Sequence, residues 1–134
     1  TAYGYGLGRD SYFNVPEADV WLDDVEEISI GSLTAKVLFT PGHAPGHVAF
    51  YFADGSNRVE GDFPLEEETV PLLIAGDALF RESIGRTDLP MGNHEELLTS
   101  IKEKLFTLPA ETRVLTGHGP NTTIGHETQF NPFF

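Results

Sequence analysis

Three residues that can bind metal each follow a short apolar run of the chain: His43, Asp77 and His118. Each lies where a strand is expected to end and a glycine-containing loop to begin, so three strand ends can bring two imidazoles and one carboxylate to one rim. These side chains are typical ligands of transition metals. The sequence therefore predicts a metal site, although two imidazoles and one carboxylate are an incomplete ligand set for a dinuclear centre.

The loop that carries His43 also carries His47, and glycine and proline residues bracket both. Such a rigid loop can aim one imidazole outward while the other supports the backbone. We expect His43 to be the ligand and His47, at the start of the next strand, to be a hydrogen-bonding support. Asp77 either bridges two cations or caps a turn or helix. His94 and His126 are expected to be surface residues.

Arg86 and Asp88 closely follow the Asp77 loop, and two interpretations of them stay open. An Arg and an Asp two residues apart in a turn can form a buried ion pair that pins the loop. Alternatively, Arg86 binds an anionic group of a substrate. In both interpretations Asp88, like His47, supports the site without being a metal ligand.

The hydrophobic patterns predict the elements that position these residues. Asn93 and Glu96 form a capping-box-like pair at the start of one helix. Strands and helices alternate without an internal repeat, which favours an α/β layered arrangement. Residues 1–24 are expected to be mostly loop, and the acidic stretch 54–71 a solvated excursion, with a carboxylate metal site as its alternative. The predicted strands are 28–30, 33–39, 48–52, 71–75 and 113–116, and the predicted helices are 94–106 and 124–130.

Composition narrows the classes of function. The 134 residues suffice for one domain or a large piece of one, and 40% of them are apolar. A formal charge of -13 with only eight Lys and Arg residues argues against a nucleic-acid partner. The chain contains no cysteine, so any metal must be held by imidazole and carboxylate. With no membrane-spanning window and no signal-peptide pattern, we expect a soluble, cytoplasmic protein.

Several segments together resemble the metallo-β-lactamase superfamily, most closely its hydroxyacylglutathione hydrolase (glyoxalase II)-like branch. The resemblance runs from about Gly31 to the C-terminus, and the acidic stretch is longer than that family leads one to expect. The matching segments are T-P-G-H-A-P-G-H at 40–47, G-D-A-L-F at 76–80, S-I-G-R-T-D-L at 83–89, G-H-G at 117–119, and T-T-I-G at 122–125 with N-P at 131–132.

The resemblance implies an αββα sandwich and a dinuclear metal centre. In this family pattern His43 binds the first ion, His118 binds the second, and Asp77 bridges them and so belongs to the catalytic centre. A metal-bound hydroxide would attack the carbonyl of a thioester such as S-lactoylglutathione. The resemblance implies two zinc ions, with iron or manganese as alternatives, and Arg86 would meet a glutathione carboxylate.

One family motif has no counterpart in this chain. The remaining ligands of the family come from an upstream H-x-H-x-D-H motif, which nothing in residues 1–134 matches. We therefore expect the whole chain to be the C-terminal half of the sandwich, and we favour a piece of a larger enzyme over a degenerate natural protein. Alone, it is expected to bind Zn²⁺ or Fe²⁺ weakly and to hydrolyse nothing.

Two other classes of function remain open from the sequence. Persulfide dioxygenases share the metallo-β-lactamase fold and the G-R-T-D segment. If the protein resembles these enzymes, one iron ion would be held by His43, Asp77 and an upstream histidine. His118 distinguishes the two, since it is a ligand only in the dinuclear hydrolase. The third class is a non-catalytic binding module. An exposed sheet face and edge further predict self-association or association with the missing N-terminal portion.

Overall fold

The computed structural model describes residues 16–54 and 70–134. The expectations for residues 1–15, and for most of the acidic stretch including its alternative metal site, lie outside these described residues. Residues 16–24 contain no helix or strand, as the sequence predicts. None of the helices in the described ranges is long and apolar enough to cross a membrane.

The described residues form strands and helices that alternate along the chain. The elements are β1 (Glu27–Ile30), β2 (Leu33–Phe39), β3 (Val48–Phe52), β4 (Leu72–Gly76), β5 (Leu79–Phe80), β6 (Ser83–Ile84), α1 (His94–Ser100), β7 (Arg113–Thr116), β8 (Thr122–Thr123) and α2 (Ile124–Phe130). Six strands form one mixed sheet in the order β1-β2-β3-β4-β7-β8, and β5 and β6 form a separate small hairpin. The predicted α/β arrangement is confirmed.

The strand directions bring three loops to one edge of the sheet. β2 and β3 are antiparallel, β3 and β4 are antiparallel, and β4 and β7 are parallel. β2, β4 and β7 therefore run in the same direction, and their carboxyl ends meet at the same edge. The loops that carry His43, Asp77 and His118 follow these three strands.

The main core lies between the sheet and the helical segment that follows Asn93. Leu97, Ile101 and Leu105 are all fully buried, and they share one hydrophobic cluster with Leu73 of β4. The predicted helix 94–106 is α-helical only to Ser100 and continues as a π-helical turn, Ile101–Leu105. The Phe106 N–H closes this turn by donating to the Ile101 carbonyl, at 2.9 Å.

The start of α1 is tied to the loop that carries His43. Asn93 Oδ1 accepts a hydrogen bond from the Glu96 N–H at 3.0 Å, which confirms the predicted N-cap. The Asn93 N–H donates to the Gly42 carbonyl at 2.7 Å, so its acceptor is not the Glu96 side chain that a full capping box requires. Gly42 has a φ of 129°, and a Cβ there would overlap the backbone of Leu97. Glycine therefore lets the loop pack directly on the helix.

The short pairings were not predicted from the sequence. β5, β6 and β8 have only two residues each, which is too few to show an alternating pattern. The longer predicted strands are confirmed with the same bounds or a shift of one residue, and α2 has the bounds expected. Thr123 caps α2 by accepting from the His126 N–H at 3.1 Å.

Candidate metal centre

The three predicted ligands lie together at the edge where β2, β4 and β7 end. His43 Nε2 is 3.6 Å from Asp77 Oδ2, and His118 Nε2 is 3.2 Å from Asp77 Oδ1. The two imidazoles thus face different oxygens of one carboxylate. His43 is mostly buried, whereas the His118 side chain is 77% exposed and stands at the open side of the site.

These distances fit ligands that share metal ions. Two ligand atoms bound to one tetrahedral ion at about 2.1 Å lie about 3.4 Å apart, close to both measured N···O separations. His43, Asp77 and His118 are thus the described residues that would hold metal ions at this edge. Within residues 16–54 and 70–134 there is no group of three or more His, Cys, Asp or Glu side chains that could hold a metal ion. The described residues alone therefore do not complete a metal site.

A backbone acceptor sets the orientation of the His43 ring. His43 Nδ1 is 2.8 Å from the Arg86 carbonyl oxygen, so Nδ1–H donates to it, and Nε2 is directed toward Asp77. Histidine ligands of metals commonly donate their second ring N–H to a backbone carbonyl in this way. The ring is thus held ready to bind a cation through Nε2.

His47 lies behind Asp77 and holds its backbone. His47 Nε2 accepts from the Asp77 N–H at 3.1 Å, and His47 Nδ1 donates to Thr40 Oγ1 at 2.7 Å. Burial lowers the pKa of His47, the neighbouring His43 lowers it further, and Asp77 acts in the opposite direction. A neutral ring suits this arrangement, since protonated Nε2 could not accept the Asp77 hydrogen bond.

Glycines let the other loops approach Asp77 closely. A Cβ at Gly117 would overlap Asp77 Oδ1, and a Cβ at Gly76 would lie 2.8 Å from His47 Nε2. Gly76 also has a φ of 55°, which L-residues with side chains rarely adopt. A larger residue at either position would displace the carboxylate or the imidazole behind it.

Arg86 and Asp88 form the predicted ion pair, but it is not buried. Arg86 Nε and Nη2 lie 2.8 and 2.9 Å from the two carboxylate oxygens of Asp88, a bidentate arrangement. Their side chains are 61% and 70% exposed. The Arg86 hydrogen bond lowers the pKa of Asp88. The expectation of a buried pair is wrong because the segment passes along the open mouth of the site, where an ion pair contributes little to stability.

An open cavity of about 520 Å³ lies over the three candidate ligands. His43, Asp77 and His118 line one part of it, and Arg86 lines its mouth. Phe80, Ile84 and Leu89 add an apolar wall. The cavity therefore combines a metal-binding end, a cationic side chain and an apolar surface.

Comparison with known proteins supports the same interpretation. The family model of the metallo-beta-lactamase superfamily matches residues 60–118. A probable metallo-hydrolase, YqgX of Bacillus subtilis, is 44% identical over 97% of this chain and 54% of its own length. The hydroxyacylglutathione hydrolase GloC of Haemophilus influenzae is 35% identical over 90% of this chain and 53% of its own length.

The chain belongs to the metallo-beta-lactamase superfamily.

Solved structures of this superfamily's fold superpose on most of the chain. The BLEG-1 B3 metallo-beta-lactamase has a TM-score of 0.70 at 43% identity, with 87% of this chain and 48% of that chain covered. ETHE1 from Myxococcus xanthus has a TM-score of 0.70 at 33% identity, over 86% and 45%. TTHA1623 in a di-iron-bound form has a TM-score of 0.68 at 39% identity, over 89% and 50%. The chain spans about half the length of the curated relatives it matches.

Three further ionisable residues lie outside the group of candidate ligands. His94 is exposed, as predicted. His126 is partly buried, and its Nε2 lies 2.9 Å from Glu82 Oε1. Glu127, which the sequence reasoning missed, is fully buried in α2. Its only sequence signal is a spacing of three residues from the buried Ile124, which places both on the inner face of the helix.

We expect His47→Ala to destabilise the metal-free protein. The change removes the acceptor of the Asp77 N–H and the partner of the fully buried Thr40 hydroxyl, and an unpaired buried group costs about 1–3 kcal/mol. Urea unfolding measures the loss. His94→Ala, at an exposed histidine, is the control and should change the free energy of unfolding by less than about 0.5 kcal/mol. Equal stabilities of the two variants would show that His47 does not hold the Asp77 backbone.

Proposed function

We propose that the complete protein containing this chain is a metal-dependent hydrolase of thioesters such as S-lactoylglutathione. The observation that carries the proposal is the pair of imidazoles on opposite oxygens of Asp77. Similarity to the hydroxyacylglutathione hydrolase GloC supports the choice of substrate. The imidazole and carboxylate donors suit zinc, iron or manganese, and the di-iron-bound form of TTHA1623 makes iron a real alternative to zinc.

In this proposal His43, Asp77 and His118 would hold the cations, with the two imidazoles facing different oxygens of Asp77. Two bound cations would supply a water of lowered pKa and a polarised carbonyl group. The Arg86 carbonyl keeps the His43 Nε2 lone pair directed at the site, and His47 fixes the Asp77 backbone. Water and the thioester are consumed, and a carboxylate, a thiol and one proton are released.

Different parts of the cavity would contact different parts of the substrate. Phe80, Ile84 and Leu89 offer an apolar surface to the acyl or thiol carbon chain. Arg86 lies at the mouth with Asp88 bound to its guanidinium, and a substrate carboxylate would compete with Asp88 for the same donors. An anionic thioester therefore fits this site better than a neutral one.

The complete site requires residues beyond the described ones. Each proposed cation receives only two ligands here, whereas a catalytic zinc ion usually has three protein ligands and an open position. We infer that a further part of the protein supplies the others. An apolar sheet face supports this: Ile74, on an inner strand, is 40% exposed, and Phe39 is 36% exposed.

The alternative is a persulfide dioxygenase-like enzyme with one iron. The structural similarity to ETHE1 of Myxococcus xanthus favours it. His118 counts against it, since its Nε2 lies 3.2 Å from Asp77 Oδ1, at a ligand-to-ligand distance. A mononuclear site would leave this histidine without a role, and we therefore place the hydrolase first.

Asp77→Asn is expected to reduce hydrolysis of S-lactoylglutathione by the metal-loaded complete protein at least about 100-fold in kcat, because the amide lacks the charge that a bridging ligand supplies. Release of thiol from the thioester is the assay. Chelation of the metal should have the same effect, and His94→Ala is the matched control. Full turnover by the chelated protein would contradict the proposal. Turnover by the 134-residue chain purified alone would contradict the inference that a further part of the protein supplies the remaining ligands.

Arg86→Ala should raise the KM for an anionic glutathione thioester about tenfold and leave kcat within about threefold, since a charge-assisted hydrogen bond contributes about 1.5–3 kcal/mol. Steady-state kinetics with a neutral thioester provides the control, because its KM should not change. Asp88→Asn is the matched variant: it removes the competing carboxylate and should not raise the KM. If Arg86→Ala changes only thermal stability, the ion pair serves the loop and not the substrate.

A further inference from the structure

The β5–β6 hairpin and the residues that flank it lie beside all three candidate ligands. Asp77 lies two residues before β5, and the Gly85 N–H after β6 donates to the Ala78 carbonyl at 3.0 Å. The next residue, Arg86, provides the carbonyl that orients His43. From β5, the Phe80 ring lies beside the His118 ring, with 5.9 Å between their centroids. A shift of this hairpin would therefore move several parts of the site together.

The turn of the hairpin is held from α2 by a buried carboxylate. Glu127 Oε2 accepts from the Glu82 N–H at 2.9 Å. Asn131 Nδ2 lies 2.9 Å from the same oxygen and 3.0 Å from the Ser83 carbonyl oxygen, to which it also donates. Thr122 Oγ1 donates to Glu127 Oε1 at 2.7 Å. Glu127 is fully buried and Asn131 is 4% exposed, so this network lies inside the protein.

The turn has a conformation that needs external support. Glu82 has a φ of 55°, in the left-handed region that residues with a side chain adopt at a cost. A two-residue turn between strands of two residues each has little pairing of its own to hold it. The Glu127 carboxylate bonds the N–H of this strained residue directly. The position of the turn thus depends on α2.

We propose that Glu127 is a positioning residue of the metal centre. It fixes the β5–β6 hairpin, and through it the Arg86 carbonyl that orients His43 and the Phe80 ring beside His118. If position 127 served only to fill space in the interior, an apolar side chain would suffice, because burying a carboxylate is costly unless hydrogen-bond donors compensate it. Here three donors converge on it and define one position for the turn. The inference rests on the proposed metal site but not on the substrate.

The expected effect of Glu127→Ala is a loss of metal affinity. The Glu82 N–H and the Asn131 amide lose their acceptor, the turn relaxes, and the His43 ring loses its fixed orientation. Residues that orient metal ligands typically contribute about 10–100-fold in affinity, and we expect the dissociation constant of the complete protein for Zn²⁺ to rise at least about tenfold. Competition with a chromophoric chelator measures it.

Two variants separate positioning from general stability. In Glu127→Gln the amide oxygen can still accept from Glu82 and Asn131, and its NH₂ group can donate to the Thr122 hydroxyl; this variant should stay within about threefold of wild-type affinity. Leu105→Ala truncates a fully buried apolar residue of the π-helical turn. It should lower the melting temperature without raising the dissociation constant.

A measurement without metal distinguishes this inference from the proposed function. The hydrogen bond to the Arg86 carbonyl is expected to slow exchange of the His43 Nδ1 proton with solvent, and NMR measures that exchange rate in the metal-free complete protein. Faster exchange in Glu127→Ala than in Leu105→Ala supports positioning even if no thioester is hydrolysed. Unchanged exchange and unchanged Zn²⁺ affinity in Glu127→Ala would overturn it. If Glu127→Ala does not fold, the same two quantities, proton exchange at His43 and Zn²⁺ affinity, are measured in Asn131→Ala, which removes the hydrogen bond to the Ser83 carbonyl. Faster exchange together with weakened affinity supports the inference, and no change in either overturns it.

Discussion

The common direction of β2, β4 and β7 is the constraint on which the site depends. Three strands that run the same way end at one edge, and the residue types that follow them decide what that edge can do. An imidazole, a carboxylate and a second imidazole follow here. Because β4 lies next to β7, the carboxylate lies near the histidine of that strand, and the rigid His43 loop reaches it from the other side.

Asp77 is the centre of this arrangement, and most nearby contacts serve to hold it. Its N–H donates a hydrogen bond to His47 Nε2, and His47 Nδ1 donates to the buried Thr40 hydroxyl. Glycines at positions 76 and 117 leave the room that its backbone and carboxylate need. The result is an Asp77 backbone that is held in place, with its carboxylate facing two imidazoles. Such preorganisation suits a bridging ligand, which must satisfy two cations at once.

Local patterns predicted much of this from the sequence. Apolar runs followed by Gly-Asp or Gly-His indicate where strands end, and the helix after Asn93 has both a cap and a periodic apolar face. The Asn93 N–H donates to the Gly42 carbonyl, and Ile101 of the π-helical turn packs in one core cluster with residues of the sheet. Such contacts join residues far apart in the sequence. For this reason no local pattern reveals them.

The least predictable parts of the site depend on long-range contacts as well. The β5–β6 strands are too short to show a pattern, and the buried role of Glu127 arises only where α2 meets the turn of the hairpin, 45 residues away at Glu82. The Arg86–Asp88 pair was foreseen from its spacing, but its exposure was not, because spacing does not tell which side of a loop faces the cavity. The sequence therefore predicts the candidate ligands better than it predicts the residues that hold them in position.

The central claim is that His43 and His118 serve two different cations bridged by Asp77. Metal content per chain of the purified complete protein, measured by mass spectrometry for the wild type and His118→Ala, tests it most directly. The account predicts two ions in the wild type and one in the variant, with His94→Ala retaining two. A single ion in the wild type that His118→Ala leaves in place would contradict the dinuclear site and favour the one-iron alternative.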